Sequence, residues 1–209
     1  MRLGISSLLA FLAVCLRAQT PEGQAQGIEP RAGPSDYQAQ AKTGSITIAA
    51  EFAGHAIPTL QGPLSTENHV VVEIGMYGPP EMRLQLSFTD FTLRINGAKK
   101  TIEAQHSETV AQSVKDPNWV PPEKQDKSKS FNVGGGGEST ESKGPVKVPL
   151  EVQRGMAQRV RKASLAEGNR LLPQAGLLYF RYAGKVKDIH SIELIYSGPA
   201  GNTTLALAP

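Results

Sequence analysis

Along much of the chain, apolar and polar residues alternate with a period of two. The clearest block is residues 177–208, LLYFRYAGKVKDIHSIELIYSGPAGNTTLALA. Ile192, Leu194 and Tyr196 share one phase, while Ser191 and Glu193 occupy the other, the mark of a strand with one buried face. Residues 177–182 are apolar on both phases and predict a strand covered on both sides. Leu205 and Leu207 mark a third strand, preceded by turn-forming residues at 197–202. The block reads as a three-strand meander that needs an opposing sheet from the rest of the chain.

That sheet is predicted upstream. Ile46, Ile48 and Phe52 alternate with Thr47 and Glu51. Val70, Val72, Ile74 and Met76 share one phase of a long strand over 69–77, which Gly78-Pro79-Pro80 stops. Met82, Leu84, Leu86 and Phe88 alternate with Arg83, Gln85 and Ser87; at Thr89-Asp90 the phase flips, and Phe91, Leu93 and Ile95 become the apolar set. A one-residue flip moves every side chain to the other face unless a corner absorbs it, and such a corner lets a chain pass between sheets. Asn96-Gly97 follows, a strong hairpin signal, with a return run near Ile102.

Two stretches break the period. Residues 150–165 place Val152, Met156, Val160 and Ala163 on one helical stripe, and Arg154, Arg159, Arg161 and Lys162 lie mostly elsewhere. Residues 115–146 are dominated by Pro, Gly, Ser and charge, with four glycines at 134–137, and predict a disordered insertion. Fifteen Pro and 21 Gly in 209 residues fit a compact β domain with unstructured additions.

The first 18 residues read as a signal peptide, with Arg2 as the positive start and an apolar run over 3–16. Residues 19–43, rich in Gln, Ala, Gly and Pro, read as a flexible tether, which leaves 44–209 as the folded domain. The single cysteine, Cys15, lies in the leader, and Leu12 to Cys15 partly resembles a lipobox with Val14 in place of the usual small residue. Cleavage after Ala18 would leave no thiol for a disulfide or a zinc thiolate. The net charge of +3 then falls to +1, since Arg2 and Arg17 leave with the leader. A balance this even gives no electrostatic case for nucleic-acid binding. The mature chain is expected in the bacterial cell envelope, periplasmic or secreted, with no membrane span.

Candidate chemistry is sparse. His55, His69, His106 and His190 show no metal-ligand spacing, and a site would need His69, His190 and Glu193 to converge across strands. Serine-hydrolase signatures are missing. Carboxylates such as Glu51 with Glu73, or Asp90 with Glu103, offer acid–base pairs only if they meet. Trp119, the one tryptophan, stands among Pro117, Pro121 and Pro122, placed either to anchor a partner or to tuck its loop onto the domain. Asn202-Thr203-Thr204 matches a glycan acceptor, which a bacterial source would leave bare. No catalytic, cofactor-binding or metal-binding residue is assigned.

Residues 86–97, LSFTDFTLRING, and 176–196, ending IHSIELIY, resemble the immunoglobulin-like (telokin-like) β-sandwich of uncharacterised secreted bacterial proteins. The resemblance implies an all-β, two-sheet sandwich, here with one inserted helix and a long disordered insertion, and it brings no activity with it. The leading functional expectation is an exported, non-enzymatic module that binds an unknown protein or serves structurally in the envelope. The alternatives are a hydrolase or metal-dependent enzyme with its site across strands, and an envelope protein lipid-anchored at Cys15. Convergent histidines would favour the enzyme; an exposed apolar groove would favour the binding module.

Overall fold

The computed structural model describes residues 26–120 and 148–209. The expected leader with Cys15, the tether as far as residue 25 and the insertion from residue 121 on lie outside the described residues. In chain order the first elements are β1 (Ala39–Thr43), β2 (Ile46–Gly54), β3 (Ala56–Ile57), β4 (Leu64–Thr66), β5 (His69–Tyr77) and β6 (Arg83–Leu86). Next come β7 (Phe91–Ile95), β8 (Ile102–Gln105), α1 (Ser107–Ala111), β9 (Val114–Lys115) and α2 (Leu150–Ala163). The last are β10 (Gly168–Leu171), β11 (Gln174–Arg181), β12 (Ile192–Gly198) and β13 (Gly201–Leu207). Among the described residues no helix is long and apolar enough to cross a membrane.

The all-β expectation holds. Eight strands form one antiparallel sheet in the order β1-β2-β5-β11-β8-β7-β12-β13. Its pivot is β8, which changes partner along its length. Ala104 and Gln105 pair with Phe180 and Tyr179 of β11, whereas Ile102 and Glu103 pair with Leu93 and Thr92 of β7. The sheet folds over there, and its two end strands approach each other. Gln38 Nε2 donates to Ala208 O at 3.0 Å, and Thr43 Oγ1 donates to Ala200 O at 3.3 Å. The sheet is thus nearly a closed barrel, with side chains forming the last seam.

The period-two faces fill the interior. Val70, Val72, Ile74 and Met76 of β5 meet Leu178 and Phe180 of β11, Phe91 and Leu93 of β7, and Leu194 of β12 in one buried cluster. Each such side chain contributes roughly 1.5–3 kcal/mol through burial. The opposite faces of β5 and β11, through Val71, Leu177 and Tyr179, are covered by Met156, Val160 and Ala163 of α2. Ile57, Leu64 and Val114, from the small sheet β3-β4-β9, complete that outer layer. This double cover explains why β11 is apolar on both phases. The expected stripe of α2 is the one that packs.

The phase flip is a 3-10 turn at Phe88–Asp90, with Ser87 Oγ accepting from the Thr89 N–H. There the chain does change sheets, leaving β6, paired only with β10 in a two-stranded ribbon, for β7 in the main sheet. Asn96 and Gly97 have φ of 52° and 64°, and Ala98 N donates to Ile95 O at 3.1 Å, as a type I′ turn requires.

Three expectations need correction. The terminal block is not a meander: β12 and β13 form a hairpin, but β11 lies between β5 and β8. A 3-10 turn at Val186–Asp188 carries the chain from β11 to the other half of the sheet. Alternation defines a strand's faces but not its neighbours, so the sequence could not show this. The tether reading fails from residue 26 on. Gly27 N donates to Lys162 O and Ile28 N to Ala175 O, and β1 pairs with β2 throughout. This segment is held mainly by polar and aromatic ties, so its apolar signal is weak. Lastly, residues 115–120 do not belong to a disordered insertion: Lys115 pairs with Ser65 in β9, and Asp116 binds Arg159.

Candidate binding surface

The carboxylates suggested by the sequence do meet. Glu51 and Glu73 stand directly opposite on β2 and β5. Like charges in that position repel, and Arg31 balances both. Its Nε and Nη2 donate to the two oxygens of Glu73 at 3.0 and 3.1 Å, while Nη1 donates to Glu51 Oε2 and to Asp36 O. The guanidinium also sits 4.3 Å from the centre of the Tyr37 ring. Burial opposes its charge, but hydrogen bonds to Glu73 and Glu51 outweigh it and hold the pKa above the usual arginine value. Tyr77 donates to Arg31 O at 2.9 Å, its phenol pushed up chiefly by burial. Tyr37 rests on Gly75, where any Cβ would meet the phenol. The pair is therefore a clamp that straps residues 31–37 across the outside of the sheet. Both carboxylates are engaged by one cation, an arrangement suited to fastening rather than to acid–base exchange.

His69, His190 and Glu193 are held by different partners, and His55 lies against the His69 backbone. His69 is buried, with Nε2 at 3.0 Å from Gln105 Oε1 and Nδ1 at 3.5 Å from Thr66 Oγ1, and burial pushes its pKa down. His55 places its ring nitrogens at His69 O and Gly184 O, at 2.6 and 2.9 Å. His190 is exposed and is held through its backbone N–H, which donates to Asn96 Oδ1 at 2.6 Å. Glu193 pairs with Arg94 at 2.7 Å. Asp90 is pushed up by burial and by Glu167, not by Glu103. Among the described residues no three His, Cys, Asp or Glu are arranged to hold a metal ion.

No family model, curated protein or solved structure matches the chain. The region around Trp119 combines a recess with exposed apolar side chains.

There α2, β9 and the segment after it enclose a mostly apolar recess of about 250 Å3, lined by Val114, Lys115, Asp116, Trp119, Val148 and Met156. Its frame is ionic. Arg159 donates to Asp116 Oδ2 at 2.7 Å, and both side chains are more than four-fifths covered. Arg159 also reaches the β3–β4 loop, donating to Thr59 Oγ1 at 3.2 Å and Gly62 O at 2.8 Å. The hydrogen bond from Arg159, then that from the Asn118 N–H, holds the Asp116 carboxyl below the usual range. Trp119 N donates to Asp116 O at 3.1 Å, which holds the backbone that carries the indole beside the recess.

Beside this frame, among the described residues, the surface carries exposed apolar side chains. Leu60, in the loop that Arg159 grips, is 94% exposed, and Val120 is 79% exposed. Trp119 itself is half-buried, so it both closes its own segment onto the domain and presents a face. Sequence reasoning marked Trp119 but missed Arg159, Asp116 and Leu60. Asp116-Pro117-Asn118 is a turn signature that could have announced an ordered segment. Nothing local to Leu60 distinguishes it from a core leucine.

Proposed function

We propose that this chain is an exported, non-enzymatic binding module that receives one apolar side chain of a protein partner in the recess beside Trp119. The observation that carries the reading is that recess, rigidly framed by Arg159–Asp116 and flanked by exposed Leu60 and Val120. It lies below the roughly 300–1,000 Å3 typical of small-molecule sites and suits a single anchoring residue. Aromatic anchors within a polar rim are the usual energetic centre of protein interfaces. The leader-like residues 1–18 support export to the periplasm or beyond. Opposed halves of the sheet sharing one core support the immunoglobulin-like resemblance, while the continuous order through β8 is the order of a barrel.

The test is paired capture from envelope extract with the natural chain, Trp119→Ala and Leu60→Ser. A specific partner should bind the natural chain and shift the emission of Trp119, the only tryptophan. Loss of a hot spot costs about 2 kcal/mol or more, so Trp119→Ala should weaken binding by about 30-fold while the domain still melts cooperatively. Equal affinity of the natural chain and Trp119→Ala for the captured protein would sink the reading.

A further inference from the structure

A second recess, of about 290 Å3, lies where α2 ends and the chain turns towards β10. Phe88 and His106 wall one side, Glu108 and Glu167 contribute carboxylates, and Ser164 and Tyr179 line it from the helix end and β11. The two rings meet edge to face at 4.2 Å.

The hydrogen-bond inventory of this recess is one-sided. Ser164 Oγ and Tyr179 Oη both donate to Val160 O, at 2.8 and 3.2 Å, and the Ser164 backbone N–H donates to the same oxygen at 3.1 Å. A hydroxyl has one proton to give. Ser164 Oγ also lies 3.4 Å from Tyr179 Oη, to which it can donate instead; in either arrangement both protons are spent on neighbouring oxygens, and what the two side chains have left to offer is oxygen lone pairs. Glu108 has Arg161 at 3.4 Å. Glu167 accepts from Ser87 Oγ at 3.1 Å, and among the described residues no cation lies within ion-pair distance of it. Nearby Asp90 is pushed up by burial and then by repulsion from Glu167. The recess therefore combines acceptor oxygens, a Glu167 carboxylate without a side-chain ion pair among the described residues, although Arg170 Nε donates to the Glu167 backbone O at 2.8 Å, and an aromatic wall.

We infer that this recess binds a small nitrogen cation on an aliphatic stem, an alkylammonium or guanidinium group, supplied by a free amine or by a Lys or Arg side chain. Its N–H groups meet Glu167 and the two hydroxyl oxygens, and its stem lies along Phe88. An anion would meet repulsion from Glu167 and Asp90. A neutral alcohol brings a single donor and no charge.

The full chain is titrated with n-butylamine at neutral pH, with n-butanol and butyrate as matched neutral and anionic probes, and backbone amide shifts are followed by NMR. Butylamine should shift amides around 105–108 and 164–168 saturably, and n-butanol and butyrate should bind at least about tenfold more weakly, as expected for charge-assisted hydrogen bonds. Glu167→Gln should weaken the amine about tenfold while melting is unchanged. A blocked Ala-Lys-Ala peptide separates the sources: tighter binding than butylamine assigns the site to a polypeptide side chain, and weaker binding assigns it to a free amine. No saturable shift, equal binding of n-butanol, or undiminished binding by Glu167→Gln overturns the inference.

Discussion

Without Arg31, Glu51 and Glu73 would face each other across adjacent strands with neither charge balanced. Glu73 is 13% exposed at its side chain, so water screens it poorly. Fully buried pairs cost about 3–5 kcal/mol when one partner is removed, and exposed pairs far less. For this partly exposed triad, Arg31→Met should cost about 2 kcal/mol in urea unfolding, and adding Glu51→Gln should restore part of it; an unchanged midpoint in Arg31→Met would show that the clamp holds nothing. His69 makes a second residue-scale prediction. Burial lowers its folded pKa below the ordinary 6.5, so its neutral form stabilises the fold above that pH. That contribution should be lost as pH falls from 6.5 through the lowered folded value. His69→Asn should flatten the decline in unfolding midpoint between pH 7 and pH 5, and a decline as steep as the natural chain's would assign it to other groups. The core residues of β5 were legible because alternation alone marks them. Arg31 was not, because its partners lie 20 and 42 positions away and its own segment carries little apolar signal.

At the scale of elements, α2 holds a removable weakness. Gly155 lies in mid-helix, and an added Cβ there would meet nothing within 4 Å. Gly155→Ala should therefore stabilise the protein by about 0.8–1 kcal/mol, seen as a rise in melting temperature. Gly176 of β11 is the opposite case, since a Cβ would run into the Leu165 backbone where the chain leaves α2. Gly176→Ala should destabilise by about 1–3 kcal/mol; a neutral result would mean that α2 and β11 are not so closely seated. The helix and the corner at Phe88–Asp90 could be read from the sequence because each leaves a change of period over many residues. The strands β3, β4 and β9 could not, because two or three residues have no period. They are tied in by their own pairing, by Arg159 through Thr59, Gly62 and Asp116, and by packing against α2.

For the molecule as a whole, Leu194 sits near the middle of the shared core with no exposed surface. Leu194→Asp would bury an unpaired charge at a cost of several kcal/mol, comparable to the 5–15 kcal/mol that holds a typical domain together. It should yield unfolded or insoluble protein, and a soluble variant with cooperative melting would contradict the placement of β12. The β class of the chain was legible from alternation. Strand order was not, because it depends on which edges meet after long crossings. The candidate surface around Trp119 was half legible: the indole stands out by composition, whereas its frame comes from four separate stretches of chain.

The central position of β11 also governs when this fold can form. The edges of β5 and β8 both await a strand that begins at Gln174. Until that strand arrives, two long-range pairings are missing and two sheet edges stand open, which slows folding and invites association between chains. A ribosome must make most of the polypeptide before its middle can close. Under the proposed export, such lateness keeps the chain competent for threading through a translocation channel, and its open edges are the surface a holding chaperone would cover.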